Sequence, residues 1–342
     1  MENNTSKIEE TDEMEEDHDE SAKGFEAVVD TFPIILAVFI IIANSLGLVL
    51  FARNRRLRTI TNTFLVSLAI SDLLTGLFGI PFYLICSAVT QQDYCRTAML
   101  CWRFTSTSTV LHLLAVTLDR YAAIVHAIRY HTIVTRTVAK TTILMIWLTS
   151  FFVSLIQLSW QPNDEELSEM SDEEMEQAWE TYKRKTSIYL VSTLLIFFLL
   201  PLMVMVYSYV RIIIIVRYHE KQMKKHNMPS TRGVGEPLQK KNSSFNIQAQ
   251  WKSAIVFLVM ILVYVICWLP FFLYSLREQL DLFRLPHWAE YVFFYYPRFV
   301  TSLSNPLFYI IGKHDFRKAL CPKKQNHNGT QMTSLIGRGE QR

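Results

Sequence analysis

The sequence predicts an all-α membrane protein, a bundle of seven transmembrane helices. Three observations predict it. Of the 342 residues, 50% are hydrophobic and 19% charged. The apolar residues gather into seven long runs, near 32–52, 60–87, 95–120, 138–160, 185–216, 253–276 and 287–311. Basic residues collect in every second connection between these runs, and the N-terminal tail and the connection after the fourth run are acidic. Each run can cross a hydrocarbon core about 30 Å thick as a helix, which satisfies its own backbone in lipid. The runs are continuous, whereas a membrane strand would alternate apolar and polar positions.

Taken in order, residues 1–31 form an acidic tail, IEETDEMEEDHDE at its centre, too polar to fold and expected to be disordered. Asn3 and Asn4 open two glycosylation sequons, NNT and NTS. The acidic start predicts no cleaved signal peptide, so span one directs insertion. The helical domain runs from 32 to 312. Arg53, Arg55, Arg56 and Arg58 follow span one; Arg129, Arg136 and Lys140 follow span three; Lys221, Lys224, Lys225, Lys240 and Lys241 follow span five. The connection after span four, 161–184, is instead an acidic loop, NDEELSEMSDEEMEQAWE. Basic connections stay cytoplasmic, which puts the N-terminus outside and, after seven crossings, the C-terminus inside. The inner connection 219–250 carries MPSTRGVGEP and reads as flexible. Residues 313–342 form a basic cytoplasmic tail. Prolines at 81, 201, 270, 297 and 306 lie within spans; each removes a backbone hydrogen bond and can kink its helix, which suggests hinges in spans five, six and seven.

Polar side chains inside the spans are the first functional candidates, because a buried charge costs about 2.5–3.5 kcal/mol on insertion scales. Asn44 reads as a hydrogen-bonding link between helices. Asp72 has two readings. It is such a link, or, with Asn305 and the hydroxyls of Thr109, Ser302 and Ser304, it holds a Na⁺ ion through oxygen ligands. His112 and His126 read as a packed and a rim histidine. No other metal or cofactor is expected.

Further residues carry a family pattern. Asn44 stands in span one, LAISD ends at Asp72 in span two, and DRY at 119–121 closes span three. Trp147 lies in span four, Pro201 and Tyr209 in span five, CWLP at 267–270 in span six, and NPLFY at 305–309 in span seven; HDFRKALC then offers a short amphipathic helix. In this order the chain resembles the rhodopsin class of G protein-coupled receptors across residues 32–322, nearest the amine and adenosine branches.

That resemblance implies a set of roles. Asp119 holds Arg120 at rest, and Arg120, with Tyr121 beside it, meets a heterotrimeric G protein on activation. Ile128 is the apolar knob that fits the G protein. Tyr264 and Trp268, with Pro201, Asn305 and Pro306, relay motion from the ligand. Tyr209 and Tyr309 close on Arg120 in the active state. Cys321 is a palmitoylation site beside Lys318, Lys323 and Lys324, where the chain meets anionic lipid. Arrestin is a further expected partner; nucleic acid is not.

The chain also departs from the family. Cys95 stands where the family places one half of an outer disulfide, yet residues 160–186 contain no cysteine. Cys86 is a conceivable substitute, and the second outer loop is expected to be looser. Gln250 replaces the acid that often helps lock the DRY arginine, which predicts basal signalling. Ala127 stands where proline is common. Retinal attachment needs a lysine six residues before Asn305, and that residue is Phe299. Covalent retinal sensing is therefore excluded. Amine receptors place an aspartate eighteen residues before the DRY arginine; here it is Trp102, which offers an ammonium only a π face. By position the outer pocket is expected to be lined by Tyr83, Trp102, Arg103, Ser106, Tyr189, Thr193, Phe271, Phe272, Tyr295 and Arg298. Either arginine suits an anionic group or an internal partner, whereas the acidic outer segments suit a cation.

The expected function is that of a plasma-membrane receptor which binds an extracellular small molecule or peptide and activates a G protein. An amine-like or adenosine-like receptor with a different anchor is the nearest alternative. A transporter or channel would show repeated halves or rings of charge, which are not visible. An enzyme would need a convergent nucleophile and base, and Asp72 and Asp119 lie at different depths.

Overall fold

A computed structural model describes residues 30–89, 92–161, 170–226, 238–279 and 286–320. The described residues that lie in regular structure are all helical. Six helices are long and apolar enough to cross a membrane. These are α1 (Asp30–Arg53), α2 (Ile60–Ala88), α3 (Asp93–Val125), α4 (Arg136–Trp160), α5 (Asp172–Gln222) and the apolar stretch Ala254–Arg277 of α6. The whole of α6 runs Leu238–Gln279. The seventh, α7 (Tyr296–Gly312), is preceded without a break by helical turns at His287–Glu290 and Tyr291–Tyr295. It is more polar because Arg298, Thr301, Ser302 and Asn305 are all buried against the other helices. A short helix α8 (His314–Leu320) follows and packs Phe316 beneath α7.

The helix starts follow from local chemistry. Thr59 and Thr135 accept from the backbone N–H groups of Asn62 and Val138, satisfying donors that the first turns of α2 and α4 leave open. Ser171 and Glu174 form a reciprocal capping box at the head of α5. With three acids in its first turn and good helix formers behind them, α5 starts at Asp172, well ahead of its apolar stretch. Residues 172–184, expected as loop, are therefore helix. The expected inner loop 219–250 is shortened in the same way, since helix continues to His226 and resumes at Leu238.

The prolines act more specifically than simple kinks. Three of them sit two residues after a π-helical turn: Pro81 after Thr75–Gly79, Pro201 after Leu195–Leu199, and Pro297 after Tyr291–Tyr295. Proline lacks the N–H for the i−4 bond and its ring crowds that carbonyl. Widening the preceding turn accommodates both, and such bulges are common at functional sites. Pro270 and Pro306 are carried within α-helix.

Helix α3 is the central column, packed against α2, α4, α5 and α6; α7 lies against α6 and α2. One large apolar cluster, including Leu113, Phe198, Met205, Phe257, Tyr264 and Tyr309, packs the helices together. Side chains such as Phe39, Phe152, Met203 and Ile266 face outward as a lipid-contacting belt. At the inner end α6 and α7 touch closely: a Cβ on Gly312 would lie 2.7 Å from Val256.

Cys86 and Cys95 are joined, tying the outer end of α2 to the outer end of α3. The substitute considered from the sequence is the pairing the structure contains. Closing a loop of this length stabilises by about 2–3 kcal/mol in the chain-entropy account. Cys86→Ser is expected to lower the melting temperature by several degrees in detergent, with Cys86→Ser/Cys95→Ser no worse than either single change. A single variant that melts like the wild type would contradict the link's importance.

Candidate functional site

The inner mouth is organised around Arg120 at the end of α3. Its Nε and Nη2 donate to Asp119 Oδ2 at 3.1 and 2.6 Å, and its Nη2 also bonds Thr61 of α2. Asp119 is more heavily engaged than the sequence suggested. Thr61 Oγ1 donates to Oδ2 at 2.6 Å and the Tyr130 hydroxyl donates to Oδ1 at 2.7 Å. Asp119 and Arg120 are both buried. A pair in that setting is held by charge-assisted bonds. Tyr130 lies on a one-turn helix, Tyr130–Ile133, between α3 and α4. Burial first and the Asp119 carboxylate second push its phenol up to about 12, so it stays a donor at any physiological pH. Tyr121 is half-buried against His126. Ile128 is 100% exposed, an apolar side chain with nothing covering it.

Lys313, between α7 and α8, is a buried cation that sequence reasoning placed only in the basic tail. Its ammonium bonds Asn62 Oδ1 and lies over the rings of Phe257 and Phe316. Burial, then the charge of Arg120, depress it to about 7, against the opposing pull of Asp315 and Asp119. The unfolded chain keeps this proton up to its usual value, about 10.5, whereas the folded chain releases it near 7. Between those values the unfolded state binds more protons, so stability contributed by this group rises with pH. Lys313→Gln is expected to flatten the rise in melting temperature between about pH 7 and 10; an unchanged difference from wild type across that range would contradict it.

Of the two expected active-state tyrosines, Tyr209 lies within reach of the Arg120 charge. Tyr209 donates to Ala254 O of α6 at 3.2 Å. The Tyr309 ring lies 5.0 Å from Phe316, with its hydroxyl against Gly47 of α1.

Midway through the bundle, Asn305 Nδ2 donates to Asp72 Oδ2 at 3.1 Å, and Ser302 also faces that carboxylate. Asn44 donates to Ile40 O and Ser302 O, linking α1 to α7. Asp72 Oδ1, Asn44 Oδ1 and Ser71 Oγ are buried without a hydrogen-bond partner among the described residues. A carboxylate among such oxygens suits a hard cation as well as water. Ser304, expected to join this set, donates instead to Thr301 O. His112 bonds Ser108 O through Nδ1 and Ser67 Oγ through Nε2, while Trp147 also donates to Ser67. This network makes the imidazole a structural bridge between α2, α3 and α4.

Toward the outer face, Trp268 donates to Thr301 Oγ1 at 3.3 Å and stacks on Tyr264, whose hydroxyl is near Ser106. The ten pocket candidates fall into separate groups. Tyr83, Trp102, Phe271 and Tyr295 gather around Arg298 or one another. Arg103 lies over Tyr189 on the α3–α5 side, where Tyr189 donates to Val153 O. Phe272 packs deeper, against Phe198. Thr193 bonds back to Leu190 O. An interior cavity of about 10 Å³ is lined by Trp102, Trp268, Arg298, Phe299 and five hydroxyl residues, Thr109 and Ser302 among them. Of the ten candidates, Trp102 and Arg298 alone border it. Asn3, Asn4 and Cys321 lie outside the described residues, as does the Gln250 side chain.

A bundle of long apolar helices, with buried polar side chains among them and a restrained guanidinium at one rim, has the architecture of a seven-helix membrane protein. The chain belongs to the 7 transmembrane receptor (rhodopsin family), whose profile it matches over residues 43–309. Similar proteins include the histamine H2 receptor of Canis lupus familiaris, 30% identical over 91% of this chain and 85% of the relative. The octopamine receptor beta-2R of Chilo suppressalis is 27% identical over 84% and 76%. The D(1C) dopamine receptor of Xenopus laevis is 29% identical over 83% of this chain and 65% of the relative. The family fits the expected receptor class, and these relatives lie on the amine side of the expected branches. The chain is a multi-pass membrane protein of the plasma-membrane receptor type.

Proposed function

We propose that the protein binds a small extracellular molecule between the outer halves of α3, α6 and α7 and activates a heterotrimeric G protein at its inner face. The N-terminus lies outside the cell and the C-terminus inside. The observation that carries this reading is the buried Asp119–Arg120 pair, held by Thr61 and Tyr130 at the mouth where a partner would enter. A ligand that binds one arrangement of α5, α6 and α7 better than another shifts the population toward it. Outward movement of the inner end of α6 separates Ala254 from Tyr209 and frees the mouth. Arg120 then exchanges Asp119 for acceptors on the G protein, with Tyr209 and Tyr309 turning inward and exposed Ile128 docking alongside. Arrestin would use the same opening. Palmitate on Cys321 would anchor α8 to the bilayer.

Asp72, with Ser302, Asn305 and neighbouring Thr109, would hold Na⁺ in the closed state. The partnerless Asp72 oxygen supports this: the ion supplies a positive charge, and the residues supply oxygen ligands. The relatives' names refer to amines, but the residue that would pair with an ammonium is Trp102. The reading therefore rests on a small-molecule ligand without carrying an amine over. Nucleotide exchange on purified heterotrimers, with the chain in nanodiscs and a library of small molecules, tests it. Ligand-dependent exchange is expected; solute transport in place of exchange would overturn it.

A further inference from the structure

Arg298 is a buried cation that the site described above does not use. It is buried at 4% exposure within α7, two turns outward of Asn305. Among the described residues no carboxylate pairs with it. Its Nε reaches only the Tyr295 carbonyl, at 3.3 Å, and its Nη2 is buried with no hydrogen-bond partner. The guanidinium instead lies over three rings, 4.0 Å from the centre of Phe271, 4.1 Å from Trp102 and 4.8 Å from Tyr295. Those contacts attract a cation but leave the Nη2 group unmet.

A second donor is in the same position. Trp102 Nε1 is buried and has no acceptor among the described residues. Both side chains border the interior cavity. The hydroxyls there do not answer them: Thr105 donates to Trp102 O, and Thr301 donates to Arg298 O while accepting from Trp268. The wall thus presents a full positive charge and an N–H, both lacking an acceptor. Native proteins rarely bury such groups without a use.

We propose that Arg298 and Trp102 form an anion-recognition subsite and that the receptor's ligand carries a carboxylate. This inference rests on the receptor reading above and assigns the charge of its ligand. The Trp102 face that would otherwise attract an ammonium is covered by Arg298, and a guanidinium repels that ammonium. A carboxylate accepts from Arg298 in a fork and from the indole N–H with its remaining lone pairs. The cavity, about 10 Å³, has space for a single water-sized group. It therefore suits the compact carboxylate better than a phosphate, and admitting even this head displaces Trp102 or Trp268. Trp268 lies on the relay, so the same displacement couples the head group to α6. The acidic first turn of α5 is exposed to solvent, where screening confines its field to about 8–10 Å.

The test measures melting temperature of the purified chain in nanodiscs with a panel of aryl and alkyl carboxylates, each matched to its primary amide and its amine. 3-Phenylpropionate, 3-phenylpropanamide and 2-phenylethylamine are one such set, and phenyl phosphate serves as the phosphate probe. Carboxylates are expected to raise the melting temperature of wild type, with amides, amines and the phosphate inert. Arg298→Gln is expected to abolish the shift and Arg298→Lys to retain part of it. Without ligand, Arg298→Met is expected to melt no lower than wild type, because it removes an unanswered buried charge. Stabilisation by amines alone, by no carboxylate, or equally in Arg298→Gln overturns the proposal, as does a marked loss of stability in ligand-free Arg298→Met, which would make the arginine a structural pillar. Amine-stimulated nucleotide exchange would sink the anion subsite and leave the receptor standing. Carboxylate binding without exchange on any heterotrimer would leave the subsite standing and sink the coupling.

Discussion

Asp119→Asn is expected to raise nucleotide exchange in the absence of ligand by roughly tenfold or more. The carboxylate accepts from Arg120 twice and from Thr61 and Tyr130 once each. Hydrogen bonds to a charged group contribute about 1.5–3 kcal/mol each. Removing the charge weakens the bonds that hold the guanidinium in this arrangement, whereas in the proposed open state Arg120 would face the partner or water. A loss of that size moves the closed–open equilibrium by about 10- to 100-fold. Tyr130→Phe removes a single donor to Asp119 and is expected to act in the same direction with a smaller effect. The measurement is exchange on a purified heterotrimer at equal receptor amounts. Exchange equal to wild type from folded Asp119→Asn would show that the pair is not the restraint.

The second large effect is the opposite one. Arg120→Ala is expected to reduce receptor-stimulated exchange to the rate of the G protein alone, because no other described side chain at the mouth offers a planar fork in the same place. Lys313 stands nearby, but its ammonium is committed to Asn62 and to two rings. The single variant strands Asp119 as an uncompensated buried charge and weakens folding. Arg120→Ala/Asp119→Asn removes both charges and keeps the result interpretable. A well-folded double variant that still drives exchange would contradict the role given to Arg120.

Much of this was legible in the sequence because a bilayer imposes strict rules on it. The apolar runs give the helices, and the DRY, CWLP and NPLFY stretches carry the family pattern that the profile match shows. Tyr130 and Thr61 were not legible as partners of Asp119: the first lies eleven residues downstream past a turn, and the second 58 residues upstream. No periodicity relates them. The Cys86–Cys95 link remained one possibility because spacing does not determine how two helix ends face each other. Lys313 read as one more cytoplasmic cation, and its burial follows from the sharp passage from α7 into α8. The start of α5 at Asp172 was hidden by acidity, which marks a polar loop and an exposed helix equally well. Arg298 and Trp102 were both named as pocket residues, but their contact, with a guanidinium covering the face offered to an amine, needed coordinates.

The central claim is that ligand binding outside moves α6 inside. Spin labels placed at Val138 on α4 and Lys252 on α6, both exposed near the inner face, would report that distance directly by pulsed dipolar spectroscopy. The account predicts one short distance in the ligand-free chain, and a population several ångströms longer when an activating ligand and nucleotide-free G protein are bound. A distance that stays fixed while nucleotide exchange is stimulated would contradict it.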